Sequence, residues 1–303
     1  MKPKSKKYFL IFIFYSVAFY SSQLSAQNQS KEVANSSVTL HRTEIIELTS
    51  AINSRTYPIN VALPGSYYTS DQTYPVVYML DAYSSFGIMT EMARLLASDK
   101  ELPEVIIIGI SSEGGSKEFI YNRSRDYTPT RIPKENLPEA LRSSIPVSGG
   151  AEKFLDFIKE ELIPLVESKY RSKADDRTLV GHSLGGLFVF YSLFQEPKLF
   201  NRYVAVSPAL LWDYEFILKH EENFSENHKS LNAIVYTAVG SSEDEIFVSP
   251  WKRLISKMKE TNYTGLNLKT EIAKNETHYT MIPYIVTHGL KSVLGGEQTG
   301  SKN

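Results

Sequence analysis

The chain opens with a pattern unlike any that follows. Lys2, Lys4, Lys6 and Lys7 precede a 13-residue apolar run from Tyr8 to Tyr20, and small residues then surround Ala26. A basic start, a short apolar stretch and a small-residue site have the composition of a secretory signal. The run falls short of the roughly 20 apolar residues that span a bilayer. Residues 1–26 are therefore expected to be removed, leaving no integral membrane span and a periplasmic or secreted protein. Residues 27–36 are polar and expected to be loose.

Two alternating segments follow, "SVTLHRTEIIEL" (37–48) and "YPINVALP" (57–64). Period-two alternation predicts half-buried strands, here an antiparallel opening pair. "YPVVYML" (74–80) and "EVIIIGI" (104–110) are continuous apolar runs, as in parallel strands covered on both faces. Helical spacing marks 86–100 between them, then 151–170, 184–195, 249–260 and 279–294. Further strands are predicted at 177–183, 202–208, 232–240 and 266–273, with a polar stretch from Leu211 to Ser230. An antiparallel start followed by alternating strands and helices predicts an α/β three-layer sandwich with a mostly parallel central sheet. No repeat or compositional break divides 37–295, which is read as one domain with a frayed tail at 296–303. Residues 112–150 carry Pro, Gly and four arginines without a long periodic run. Structureless segments of that length are usually functional, so this one is read as a lid-like insertion.

Composition narrows the partners. Removing the four signal lysines leaves 29 basic and 34 acidic residues, a formal charge of −5. Nothing in that balance favours nucleic acid. The chain has no cysteine, which excludes disulfides, thiolate metal sites and a cysteine nucleophile. No metal or cofactor is implied.

"GHSLG", Gly181 to Gly185, matches G-x-S-x-G. At ~7% Gly and Ser, chance supplies about one match in ten chains of this length. The context adds the information, because a β-branched run precedes the motif and an apolar helix follows it. That is the strand–turn–helix setting of a nucleophile elbow. The turn holds Ser183 in a strained conformation and needs flanking residues without side chains. The helix start then aims the Leu184 N–H at a developing oxyanion.

A serine nucleophile needs a base. His220 and His228 lie in an acidic stretch and read as solvated, while His288 lies within the last helix. His182 is expected to point away from Ser183. His278, in "AKNETHYTMIP", falls on a loop after the last strand, at the sheet edge where α/β sites occur. The orienting acid should follow strand 232–240, where Glu243, Asp244 and Glu245 are candidates. The order Ser, acid, His is that of α/β-hydrolases. A second oxyanion donor is placed in "YMLDAYSSF" (78–86), at the Tyr83 N–H.

Taken together, "PVVYMLDAYSSF", "NRSRDYTPTR", "VGHSLGGLF", "TAVGSSEDE" and "NETHYTMIP" resemble the putative-esterase family of α/β-hydrolases. That family includes trilactone-siderophore (enterochelin-type) esterases and S-formylglutathione hydrolases. "RSRDYTP" looks like the siderophore-esterase branch. The resemblance implies Ser183 as nucleophile, His278 as base and Glu243 as acid. It also shows one departure: Ala82 stands where the family commonly has Gly.

Arg123, Arg125 and Arg131 cluster with Tyr121 and Tyr127 in the 112–150 segment. Arginines and tyrosines there can grip an anionic or phenolic substrate, so Arg123, Arg125 and Tyr127 are read as substrate-binding. The alternative is internal ion pairing, such as Arg125 with Asp126. The expected activity is hydrolysis of a carboxylic ester, with a catecholate trilactone as one substrate class. Acetyl or feruloyl esters of a glycan, acyl transfer, and ligand binding without catalysis are the alternatives.

Overall fold

The computed structural model describes residues 38–137, 139, 142 and 145–295. The expected signal peptide, the segment 27–36 and the tail 296–303 lie outside the described residues. Residues 41–303 make one unit and residues 1–40 another. Of the latter only 38–40 are described, and they form no helix or strand.

Eight strands build one sheet. They are β1 (Thr43–Thr49), β2 (Thr56–Ala62), β3 (Tyr74–Met79), β4 (Ile106–Ile110), β5 (Ser172–His182), β6 (Arg202–Val206), β7 (Ser230–Gly240) and β8 (Thr264–Ala273). Their spatial order is β1-β2-β4-β3-β5-β6-β7-β8. β1 pairs antiparallel with β2, and β2 antiparallel with β4. Every other pairing is parallel. The mostly parallel sheet and its antiparallel opening pair are as the hydrophobic pattern predicts. β3 and β4 are buried at every position, as strands covered on both faces must be.

The major helices are α1 (Ala82–Ser98), α2 (Ser116–Asp126), α3 (Ala151–Phe157, continuing through a π turn at Ile158–Leu162 into Ile163–Lys169), α4 (Leu184–Gln195), α5 (Trp212–Asn227), α6 (Glu245–Thr261) and α7 (a π turn, Ile285–Leu290, then Lys291–Leu294). Helices cover both faces of the sheet, giving the α/β-hydrolase fold. α4 is buried along nearly its whole length, which is why its sequence is apolar all round.

Two helices depart from the sequence reading. Residues 112–150 show no long hydrophobic period, yet α2 forms there. Its buried residues are Ser124, Arg125 and Asp126, so it packs polar groups inward, and hydrophobic periodicity cannot reveal it. Glu118 supports its start by accepting the Gly115 N–H at 2.9 Å. The polar stretch Leu211 to Ser230 contains α5, whose start is kinked by positive φ at Asp213, Tyr214 and Glu215 and whose remainder is anchored by buried Ile217, Glu221 and Phe224. His220, read as solvated, is instead half-buried and stacked between Tyr191 and Phe216, each 5.4 Å away. His228 is exposed and stacks on Phe224 at 4.3 Å.

Candidate active site

The parallel strands deliver their C-terminal ends to one edge of the sheet, and the candidate residues all leave from there. Asp81 and Tyr83 follow β3, Ser183 follows β5, Ser207 follows β6, Glu243 follows β7 and His278 follows β8. Three of these exits are bent through positive φ at non-glycine residues: Asp81 (56°), Ser183 (59°) and Ser207 (46°). Such conformations cost of order 1–3 kcal/mol each and persist where the surroundings over-determine them.

Ser183 sits between β5 and α4 at φ 59°, ψ −119°. Its N–H donates to the Val206 carbonyl at 3.1 Å, and its carbonyl accepts from Ala209 and Leu187 at 2.9 and 3.0 Å. A Cβ on Gly181 would overlap the Gly185 carbonyl, and one on Gly186 would come within 2.9 Å of Pro208. The glycines therefore permit the close strand–helix approach that the motif predicts. Leu184 opens α4, so its N–H has no acceptor within the helix. Tyr83, the second residue of α1, has an N–H in the same helix-start condition.

His278 Nε2 lies 3.0 Å from Ser183 Oγ, and its Nδ1 lies 2.8 Å from Glu243 Oε2. The structure thus joins serine, histidine and acid into one chain of hydrogen bonds. It also separates the three acids of the 243–245 cluster. Asp244 caps α6 by accepting the Ile246 N–H at 3.0 Å, and Glu245 accepts from Ser249 Oγ at 2.6 Å. Only Glu243 reaches the histidine, and its side chain is fully shielded from solvent. Burial opposes its ionisation, but hydrogen bonds from His278, Ser207 Oγ and the Gly240 N–H outweigh this and hold its carboxyl below the usual range. Ser207 and Gly240 both donate to Oε1 at 2.6 Å, leaving Oε2 for the histidine.

Two further residues matter that sequence reasoning missed or misplaced. His182, expected to point away, turns toward His278. Its Nε2 lies 2.6 Å from the His278 carbonyl, and the two rings are 4.6 Å apart. Burial, with His278 beside it, lowers its pKa to about 4, so it stays neutral and donates to that carbonyl. Its place in "GHSLGG" was the available signal, but the bond spans 96 residues of sequence. Ser207 carries no motif at all.

The substrate-binding expectation needs correction at two positions. Arg125 is buried and donates from Nε and Nη2 to Asp126, at 2.7 Å each. Tyr127 is 4% exposed, and its hydroxyl accepts the Asp81 N–H at 3.0 Å. Both are turned into the protein, because a buried charge and a buried hydroxyl need partners there. Arg123 keeps some exposure but uses Nε and Nη2 to grip Asp81. Among the described residues no cluster of three or more His, Asp or Glu side chains is placed to share a metal ion. None of their helices is long and apolar enough to cross a membrane.

Fold and site together define a carboxylic ester hydrolase of the α/β-hydrolase class, and the chain belongs to the Putative esterase family, whose model matches residues 50–278. The ferri-bacillibactin esterase BesA of Bacillus subtilis is 34% identical over 268 residues, covering 84% of this chain and 91% of that one. Among solved structures, the BES protein from Bacillus cereus superposes with a TM-score of 0.75 at 29% identity, covering 86% of this chain and 99% of that one. An IroE-like serine hydrolase from Shewanella oneidensis gives 0.72 at 27% identity, over 83% and 80%.

Proposed function

We propose that this protein hydrolyses a siderophore-type ester by a Ser183–His278–Glu243 triad. The carrying observation is the continuous hydrogen-bond chain at 3.0 and 2.8 Å, in a family whose cited relative is a ferri-bacillibactin esterase. His278 Nε2 takes the Ser183 proton as Oγ attacks the ester carbonyl, then delivers it to the leaving alcohol. Glu243 fixes the tautomer that leaves Nε2 free to accept, and stabilises the imidazolium that forms. The N–H groups of Leu184 and Tyr83 receive the oxyanion. A water molecule, activated by the same histidine, then releases the acyl group.

The N-terminal pattern supports export, with cleavage after Ala26 and action in the periplasm or outside the cell. The 112–150 segment is assigned to covering the site.

The test is hydrolysis of a catecholate trilactone compared with acetylated or feruloylated xylan, with His278→Ala as control. Release of catecholate monomers by the wild type alone supports the proposal. Turnover of the xylan esters only would move the substrate class to glycans. Fluorophosphonate labelling lost in Ser183→Ala identifies the nucleophile. Export is checked by sequencing the N-terminus of protein recovered outside the cytoplasm, which should begin at Gln27.

A further inference from the structure

Asp81 is an unlikely place for an unsupported aspartate. It adopts φ 56°, ψ 33° between β3 and α1, a left-handed conformation that non-glycine residues rarely hold without support. It stands two residues before Tyr83, so its geometry sets where the Tyr83 N–H points.

Three side chains from one segment converge on this loop. The Phe119 ring stacks on the Tyr83 ring with centroids 4.8 Å apart. Arg123 grips Asp81 with two parallel bonds, Nε to Oδ1 at 2.9 Å and Nη2 to Oδ2 at 3.0 Å. The Tyr127 hydroxyl accepts the Asp81 N–H at 3.0 Å. Residues 119, 123 and 127 are four apart and so lie along one face of α2 and its C-terminal cap. From the other side, Ala82 closes on Gly109, where a Cβ would lie 2.7 Å from the Ala82 methyl. The loop is thus pressed between a strand glycine and a helix face.

We propose that Arg123 and Tyr127 are positioning residues: they hold Asp81, and through it the Tyr83 N–H, in the geometry that receives the oxyanion. The inference rests on the proposed serine-esterase reading, within which it gives the 116–127 face a second task beside covering the site. Arg123 reaches the chemistry through Asp81, and Tyr127, 4% exposed, is too enclosed to meet a substrate. A bidentate fork suits this task because it fixes the carboxylate plane, which a lysine cannot do. A misplacement of about 1 Å costs ~10²-fold in rate.

The experiment measures kcat and KM for 4-nitrophenyl acetate, a small neutral ester, in wild type, Tyr127→Phe, Arg123→Lys and Arg123→Ala. Thermal melts establish which variants fold. The expected result is a kcat loss of ~10-fold in Tyr127→Phe and ~100-fold in Arg123→Ala, with KM within about twofold and Arg123→Lys between wild type and alanine. A substrate-gripping arginine would instead raise KM, and only for anionic substrates. Wild-type kcat in both Tyr127→Phe and Arg123→Ala overturns the inference, as does a change confined to KM. If Arg123→Ala does not fold, Tyr127→Phe decides alone, since it removes one oxygen from a buried ring. Failure of the wider reading looks different. Wild-type protein that neither releases nitrophenol nor takes a fluorophosphonate would remove the esterase proposal and this inference with it. Labelled wild type, unlabelled Ser183→Ala and unaltered variants would remove the inference alone.

Discussion

Ser183 occupies a backbone conformation, φ 59° and ψ −119°, that suits glycine better than serine. A serine is held there against its own preference, as expected where function opposes stability. Ser183→Gly should therefore abolish ester hydrolysis while raising stability by about 1 kcal/mol, read from urea melts. The acids two strands away separate in the same manner. Glu243→Gln should lower kcat by ~10²–10⁴-fold with little change in melting temperature. Asp244→Ala should keep activity and lose about 1 kcal/mol of stability as a helix cap is removed. His182 predicts a pH dependence. Its pKa falls from 6.5 in the unfolded chain to about 4 in the fold, so between those values the unfolded state binds a proton that the folded state refuses. This contribution is fully present above pH 6.5 and is lost as pH falls toward 4. Urea melts at neutral and mildly acid pH should show the decline, and His182→Gln, which keeps a donor without the titration, should reduce it.

At the scale of elements, what could be read from the sequence follows what each element buries. β3, β4 and α4 bury hydrocarbon, and their apolar runs were legible. So was Ser183, because a turn of glycines between strand and helix is a local pattern. His278 was legible by order along the chain, since it had to follow a strand; order narrowed the acid only to Glu243, Asp244 or Glu245, and the family resemblance alone pointed to Glu243. α2 was hidden because its buried end is a charge network. Asp126 accepts from Arg125 and from Tyr57 Oη at 3.1 Å, and Arg55 stands 3.9 Å away. The same network explains why Arg125, read as facing substrate, does not: its partner is its own neighbour in sequence. Asp126→Ala would leave Arg125 buried without its carboxylate and should cost about 3–5 kcal/mol, enough to lower the melting temperature by several degrees. α5 was hidden in a different way, its few apolar anchors diluted by acids and by Glu221, which accepts from Tyr263 Oη at 2.6 Å.

For the whole molecule, the sheet order decides which parts of the site stand on firm ground. Ser183 leaves β5, which is flanked on both sides by parallel neighbours. His278 leaves β8, an edge strand whose one sheet partner among the described residues is β7 and most of whose residues are exposed or half-buried. The loops carrying Glu243 and His278 meet where a Cβ on Gly240 would overlap the Glu276 carbonyl, and the bond from His182 Nε2 to the His278 carbonyl at 2.6 Å is the tie back to β5. Edge elements with few buried contacts open at lower free energy than the centre. On gentle heating or in low denaturant, His278 should come loose while β5, the strand that leads to Ser183, remains intact. Activity should therefore vanish at a lower denaturant concentration than the global transition seen by circular dichroism, with amide exchange in β8 rising first. A protein built on this plan would switch itself off before it falls apart, and would recover from mild stress by re-seating a single strand.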